Sequence, residues 1–195
     1  MRKRIYKASE GNPLEKMTRS LLLVGLLLTA STCGLPAKKQ ALPPSPPEWR
    51  YEKNAIILHL NVDPNANLYD GNSHTLLVCF YQLGDPNAFH QLSGNPEGLS
   101  KLLDCNRFDA SVAQSKRMVF HPGQEWTESF DRAEGAKYVG IVAGYFNLHE
   151  ERVVRLLPIP VVEQKTPTGA ALVPAKLYQD ISLGPQEIQV LRGKR

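Results

Sequence analysis

The sequence predicts an all-β protein with a small helical addition: a two-sheet β-sandwich preceded by an export signal and a proline-rich tether. Three observations predict it. A short apolar run from Leu21 to Leu28, flanked by Arg19 and followed by the small residues Ala30, Ser31 and Thr32, has the layout of a bacterial export signal. Five of the twelve residues 36–47 are proline, a residue that continues neither a helix nor a central strand. Beyond them, eight short runs of strand character alternate with clusters of Gly, Pro, Asn and Asp, at the spacing of a sandwich with Greek-key-like connections.

Residues 1–32 read as the signal. The leader before the apolar run is long, and Met17-Thr18-Arg19 is a more natural start, so residues 1–16 are either an extended basic region or a misassigned beginning. The apolar run is far shorter than the ~20 residues that a spanning helix needs. Cys33, directly after small residues, resembles a bacterial lipobox, in which the Cys is acylated and becomes the mature N-terminus. Several acyl chains on one residue hold a protein at a membrane where one chain does not. Ala30 and Thr32 depart from the usual lipobox residues, which keeps ordinary cleavage to a soluble form as the alternative. Gly34 stands where Asp would mark retention at the inner membrane, so the analogy points to the outer membrane.

Residues 33–50 form the lipidated Cys and linker. Gly34 to Pro47 favours extended polyproline conformation, a spacer between anchor and fold. The charge balance changes at the same place. Residues 1–32 carry six of the 23 Lys and Arg and two of the 19 acids, leaving 17 against 17 from Cys33 onward. With a neutral mature chain there is no basic surface to suggest nucleic acid.

About 145 residues remain, 51–195, enough for one domain around one core. Ile56, Leu58, Leu60 and Val62 share a face opposite His59 and Asn61, a half-buried first strand from Asn54. Asp63 to Ser73 breaks it with Pro64 and a series of Asn, Asp and Gly. His74 to Leu83 is apolar on both faces, the pattern of a central strand covered on both sides. Residues 87–103 are the helical region, with Asn95 as cap, Pro96 at the first helical position, Glu97 near the positive end, and Leu99, Leu102 and Leu103 as an apolar stripe.

Further strands are expected at Lys116–His121, Glu125–Phe130, Lys137–Phe146, Arg152–Val161, Lys176–Leu183 and Glu187–Leu191, with turns at His121-Pro-Gly123, 133–135, 147–151, 166–169 and Gly184-Pro185. Gly140 and Gly144 interrupt an apolar run, which predicts a close backbone approach or a bulge. Cys79 and Cys105 either pair in an oxidising compartment or stay as small buried thiols.

Groups with a catalytic or metal-binding pattern are not found. The five histidines, His59, His74, His90, His121 and His149, lack metal-ligand spacing, and there is no nucleophile elbow, phosphate loop or paired-Cys zinc pattern. His149-Glu-Glu-Arg152 reads as a solvated charge cluster in a hairpin loop. Asp104 and Asp109 are acids whose pairing only a fold could show. No cofactor, metal or small-molecule substrate is expected.

The residues from Ile56 to Phe146 resemble the type VI secretion system outer-membrane lipoprotein, the TssJ family. The likeness is carried by Asn61-Val-Asp63, by Leu77-Val-Cys-Phe-Tyr-Gln-Leu83, by Phe89 with the short helix after it, and by Phe120-His-Pro-Gly123 with Tyr138-Val-Gly-Ile-Val-Ala143. Cys79 stands where the family more often has a polar or basic residue, and the tail from Pro158 fits by strand count. The resemblance implies a transthyretin-like sandwich with added helix, held to the outer membrane through Cys33 and facing the periplasm. It implies binding of the periplasmic domain of the inner-membrane TssM protein, and through it TssL. The contact is made by the loop between the first two strands, here Asp63, Pro64, Asn65, Asn67, Leu68, Tyr69, Asp70 and Asn72.

Residue chemistry alone makes that loop unusual, because Leu68 and Tyr69 are apolar in a polar turn. They serve either as an interface anchor or as a plug folded over the sandwich end. The second functional reading is a periplasmic sandwich that binds a small ligand or carbohydrate in an aromatic pocket near Trp49, Trp126 or Tyr145.

Overall fold

The computed structural model describes residues 43–167 and 169–191. The export signal, Cys33 and the first part of the tether lie outside the described residues. The elements are β1 (Glu52–Val62), β2 (Leu76–Leu83), α1 (Asn87–Ser93), α2 (Pro96–Leu103), β3 (Val112–Phe120), β4 (Glu125–Arg132), β5 (Tyr138–Ala143), α3 (Glu150–Val153), β6 (Val154–Pro158), β7 (Val161–Thr166), β8 (Gly169–Pro174), β9 (Leu177–Leu183) and β10 (Ile188–Leu191).

Two four-stranded sheets carry the fold, one in the order β10-β9-β1-β4 and one in the order β3-β2-β5-β6. The period-two pattern of β1 does what it predicts: Ile56, Leu58, Leu60 and Val62 are buried between the sheets, while His59 and Asn61 face outward. Phe80 of β2 meets Trp126 and Phe130 of β4 across the gap, with ring centroids 6.4 and 6.0 Å apart. Strand β9 lies parallel to β1, from Ile56 opposite Leu177 to Val62 opposite Leu183. That non-local pairing was not predicted.

β2 is buried on both faces, as its sequence requires. Its even residues enter the inter-sheet core, and Cys79, Tyr81 and Leu83 lie under the helices. The helical region resolves into two helices because Gly94-Asn95-Pro96 cannot continue the first. The Asn95 side chain accepts the Gly98 N–H at 2.8 Å, capping α2. Phe89 packs against Tyr81 at 6.0 Å, and the Tyr81 hydroxyl donates to the Leu102 carbonyl at the end of α2. A disulfide joins Cys79 to Cys105, 26 residues apart, and fixes the end of α2 to the sheet. Gly140 lies beneath Phe89, where a Cβ would stand 2.7 Å from the ring, so the interruption in β5 is a close approach.

One expected strand is corrected. The strand expected over Arg152–Val161 is divided: residues 150–153 form a helical turn, β6 ends at Pro158, and Pro160 separates it from β7 because neither proline has a ladder donor. β7 and β8 pair with each other as a separate antiparallel hairpin, from Val161 opposite Pro174 to Thr166 opposite Gly169. Ser45 bridges to Ala171 of β8, and the Gly135 N–H donates to the Trp49 carbonyl at 2.7 Å.

The sandwich has two different ends. At one lie the Trp49 segment, bonded to the turn at 133–136, and the start of β9. At the other lie the β1–β2 loop, the turn at His121-Pro-Gly123, the segment after β5 and the β9–β10 turn. β1, eleven residues long, runs from the first end to the second.

Candidate docking surface

The β1–β2 loop at the second end is held by its own side chains. Asp63 begins it: its carboxylate accepts the Asn65 N–H at 2.7 Å and its carbonyl accepts the Ala66 N–H at 2.8 Å, with Pro64 inside the turn. Ala66 and Asn67 then dip into the sandwich end and are buried. Asn67 has φ of 51°, a left-handed conformation that Asn tolerates better than most side chains. Its side chain works in both directions: Nδ2 donates to the Thr75 carbonyl at 3.0 Å and Oδ1 accepts the Phe146 N–H at 2.9 Å.

Leu68 is half-buried, and its N–H donates to the Pro185 carbonyl at 3.0 Å. Tyr69 and Asn72 exchange two backbone hydrogen bonds, of 2.9 and 3.0 Å, around Asp70 at φ 49° and Gly71 at φ 75°. Two consecutive left-handed residues of the type Asp-Gly are the signature of a type I′ turn. Asn72 Nδ2 donates to the Asp70 carbonyl at 3.1 Å and tightens it. The turn lifts Tyr69 out of the surface.

Tyr69 is 55% exposed and Phe146 52%. Their rings stack with centroids 4.5 Å apart, and His74 stands edge-on to Phe146 at 5.0 Å. Offset or edge-on aromatic pairs are favourable beyond the area they bury. Tyr69 and His74 of this loop and Phe146 of the segment after β5 therefore make one patch.

Of the predicted loop residues, Asp63, Asn65, Asn67, Asp70 and Asn72 take part in the loop's own hydrogen bonds. Pro64 shapes its first turn, Leu68 is half-buried with its N–H bonded to the Pro185 carbonyl, and Tyr69 is exposed. Phe146 and His74 were missed as members of the patch. Phe146 reads as the end of a strand, but Gly144 ends the ladder two residues earlier. Tyr145 then turns in, its hydroxyl donating to the Glu187 carbonyl at 2.8 Å, and Phe146 turns out. Burial, with the Glu187 carboxylate nearby, holds the Tyr145 phenol above its ordinary range.

The other candidates disperse. Asp104 is the C-cap of α2, while the exposed Asp109 carboxylate accepts the Ser111 N–H at 2.7 Å, which holds it below the usual carboxyl range. His59 sits between Glu125 at 2.8 Å and Asp180 at 3.4 Å on the outer face of a sheet. Among the described residues, no group of three or more His, Cys, Asp or Glu is arranged to hold a metal ion. Trp126 belongs to the inter-sheet core, Tyr145 is buried against the β9–β10 turn, and Trp49 lies 5.8 Å from the buried Arg132 guanidinium. These aromatics do not line a shared pocket. The void between the sheets, bordered by Ile56, Leu58, Phe80 and Phe130, measures about 20 Å³, room for a water and not for a sugar.

Fold and surface together define a β-sandwich module that presents a rigid aromatic loop at one end. The chain belongs to the type VI secretion lipoprotein family, the family of VasD, EvfM and TssJ, whose sequence profile matches residues 54–182. Among solved structures, the T6SS lipoprotein TssJ1 from Pseudomonas aeruginosa is similar at 20% identity with a TM-score of 0.55, over 78% of this chain and 100% of that one. Serratia marcescens Lip, a membrane-bound component of the type VI secretion system, is similar at 20% identity with a TM-score of 0.56, over 71% and 98%. A chain in a structure described as the T6SS protein TssM C-terminal domain from EAEC is similar at 16% identity with a TM-score of 0.53, over 71% and 98%. No curated protein sequence matches the chain.

Proposed function

We propose that this lipoprotein is an outer-membrane anchor of the type VI membrane complex, acylated at Cys33, facing the periplasm and performing no reaction. Its β1–β2 loop docks the periplasmic domain of the inner-membrane TssM protein, and through it TssL. Family membership supports the first half. The observation that carries the second is the exposed Tyr69–Phe146 stack on a loop immobilised by Asn67 and the Asp70-Gly71 turn. An aromatic ring already held in place loses little freedom on binding and buries a large area, which makes it an economical contact. Likeness of the fold to a chain in the TssM structure agrees with this reading.

Replacing Tyr69 and Phe146 together by serine is expected to weaken capture of the TssM periplasmic domain at least tenfold in a titration, since each interface anchor of this type is worth about 2 kcal/mol. The thermal midpoint should stay within a few degrees, because both rings are half exposed. Unchanged affinity would remove the loop from the contact. Separately, Cys33→Ser is expected to move the protein from the outer-membrane fraction to the soluble periplasm. A mutant still sedimenting with outer membranes would show that acylation at Cys33 is not the hold.

A further inference from the structure

The hairpin β7–β8 is joined to neither main sheet, and the Pro-rich segment lies along its edge. Four of the five residues Pro43-Pro-Ser-Pro-Pro47 have no backbone N–H. Ser45 is the one that can form a ladder contact in both directions, and it does. Its N–H donates to the Ala170 carbonyl at 3.3 Å, and its carbonyl accepts the Leu172 N–H at 3.1 Å. Ala170 and Leu172 are two apart, so both present their backbone groups to the same side of β8, away from β7. The remaining outward position on that edge is Pro174, which has no donor to leave unpaired.

The chain is held again just after Ser45. The Trp49 carbonyl accepts the Gly135 N–H, the Trp49 ring lies over the guanidinium of Arg132, and Arg132 Nη2 donates to the Arg50 carbonyl at 3.0 Å. Arg132 is 3% exposed and also pairs with Glu52 at 3.0 Å, so it is a fixed post and not a mobile surface cation. A run of prolines is extended before it docks, and it loses less conformational freedom on docking than an ordinary segment.

We propose that the free edge of β8 is a docking strip for the protein's own proline-rich tether, and that the β7–β8 hairpin acts as a clasp ending the free spacer at Pro44. Its consequence for the stand-off from the membrane rests on the anchored reading above; the docking itself does not. Residues 33–44, twelve in all, then form the spacer instead of the eighteen residues 33–50.

The test is amide exchange on the full chain in detergent, comparing the wild type with Ser45→Pro, which removes the N–H, and Ser45→Ala, which keeps it. The Leu172 amide is expected to exchange at least tenfold faster in Ser45→Pro and within twofold of wild type in Ser45→Ala, with the Leu58 amide unchanged in both. The amides of Ala171 and Val173, which face β7, should keep their rates. An unchanged Leu172 rate in Ser45→Pro overturns the proposal. Equal acceleration of Ala171 overturns the claim of a preformed strip, and Leu172 protection that rises with protein concentration overturns docking in cis. None of these readouts uses the membrane or the TssM partner, so failure of the clasp and failure of the anchor reading are separable.

Discussion

Replacing Cys79 and Cys105 by serine is expected to lower the stability of the sandwich by about 3–4 kcal/mol in urea unfolding, the loop-closure value for a bridge across 26 residues. For a domain of this size that corresponds to a fall of roughly 10 °C in the thermal midpoint. The bond joins the central strand to Cys105, the residue after the Asp104 cap of α2, and Cys105 has φ of 56°, a conformation that helix ends usually reserve for glycine. The bridge holds an unfavourable backbone as well as closing a loop. A loss under about 1 kcal/mol would mean that the two thiols are not bonded in the native protein.

Gly98→Ala is expected to destabilise the domain by about 2–3 kcal/mol, although alanine is favoured over glycine in a helix interior by about 1 kcal/mol. The opposing effect is steric. A Cβ at Gly98 would stand 2.0 Å from the Leu92 carbonyl oxygen, a backbone atom of the preceding helix that cannot swing aside. At Gly140 the obstacle is the Phe89 ring, which can tilt, so the same change there should cost less. The two chevron or melting curves distinguish the cases, and a stabilised Gly98→Ala would show that α1 and α2 are not in contact at this point.

Local patterns were legible in the sequence. Alternation from Ile56 to Val62, the two-sided apolarity of β2 and the Asn95-Pro96 cap each follow from a rule about a few consecutive residues, and each stands where expected. What remained hidden depends on distant chain segments. β7 and β8 satisfy each other and expose most of β7, so they lack the alternation that marks a strand on a core. The parallel seat of β9 beside β1 is set by packing. In the loop, Asp70-Gly71 announced a turn, but the partner of Tyr69 comes from residue 146, and no spacing rule links the two. The burial of Asn67 was equally invisible, since its hydrogen-bonding partners lie in two different segments.

Strand β1 enters the domain from the Ser45–Arg50 segment and leaves it at Asp63, where the aromatic loop begins. It is flanked on one side by β4 and on the other by β9. Any tension between these two ends is therefore directed lengthwise along one polypeptide backbone. Rupturing the fold in that direction requires sliding two rows of hydrogen bonds at once, the geometry of shear, instead of opening them singly as a zipper would.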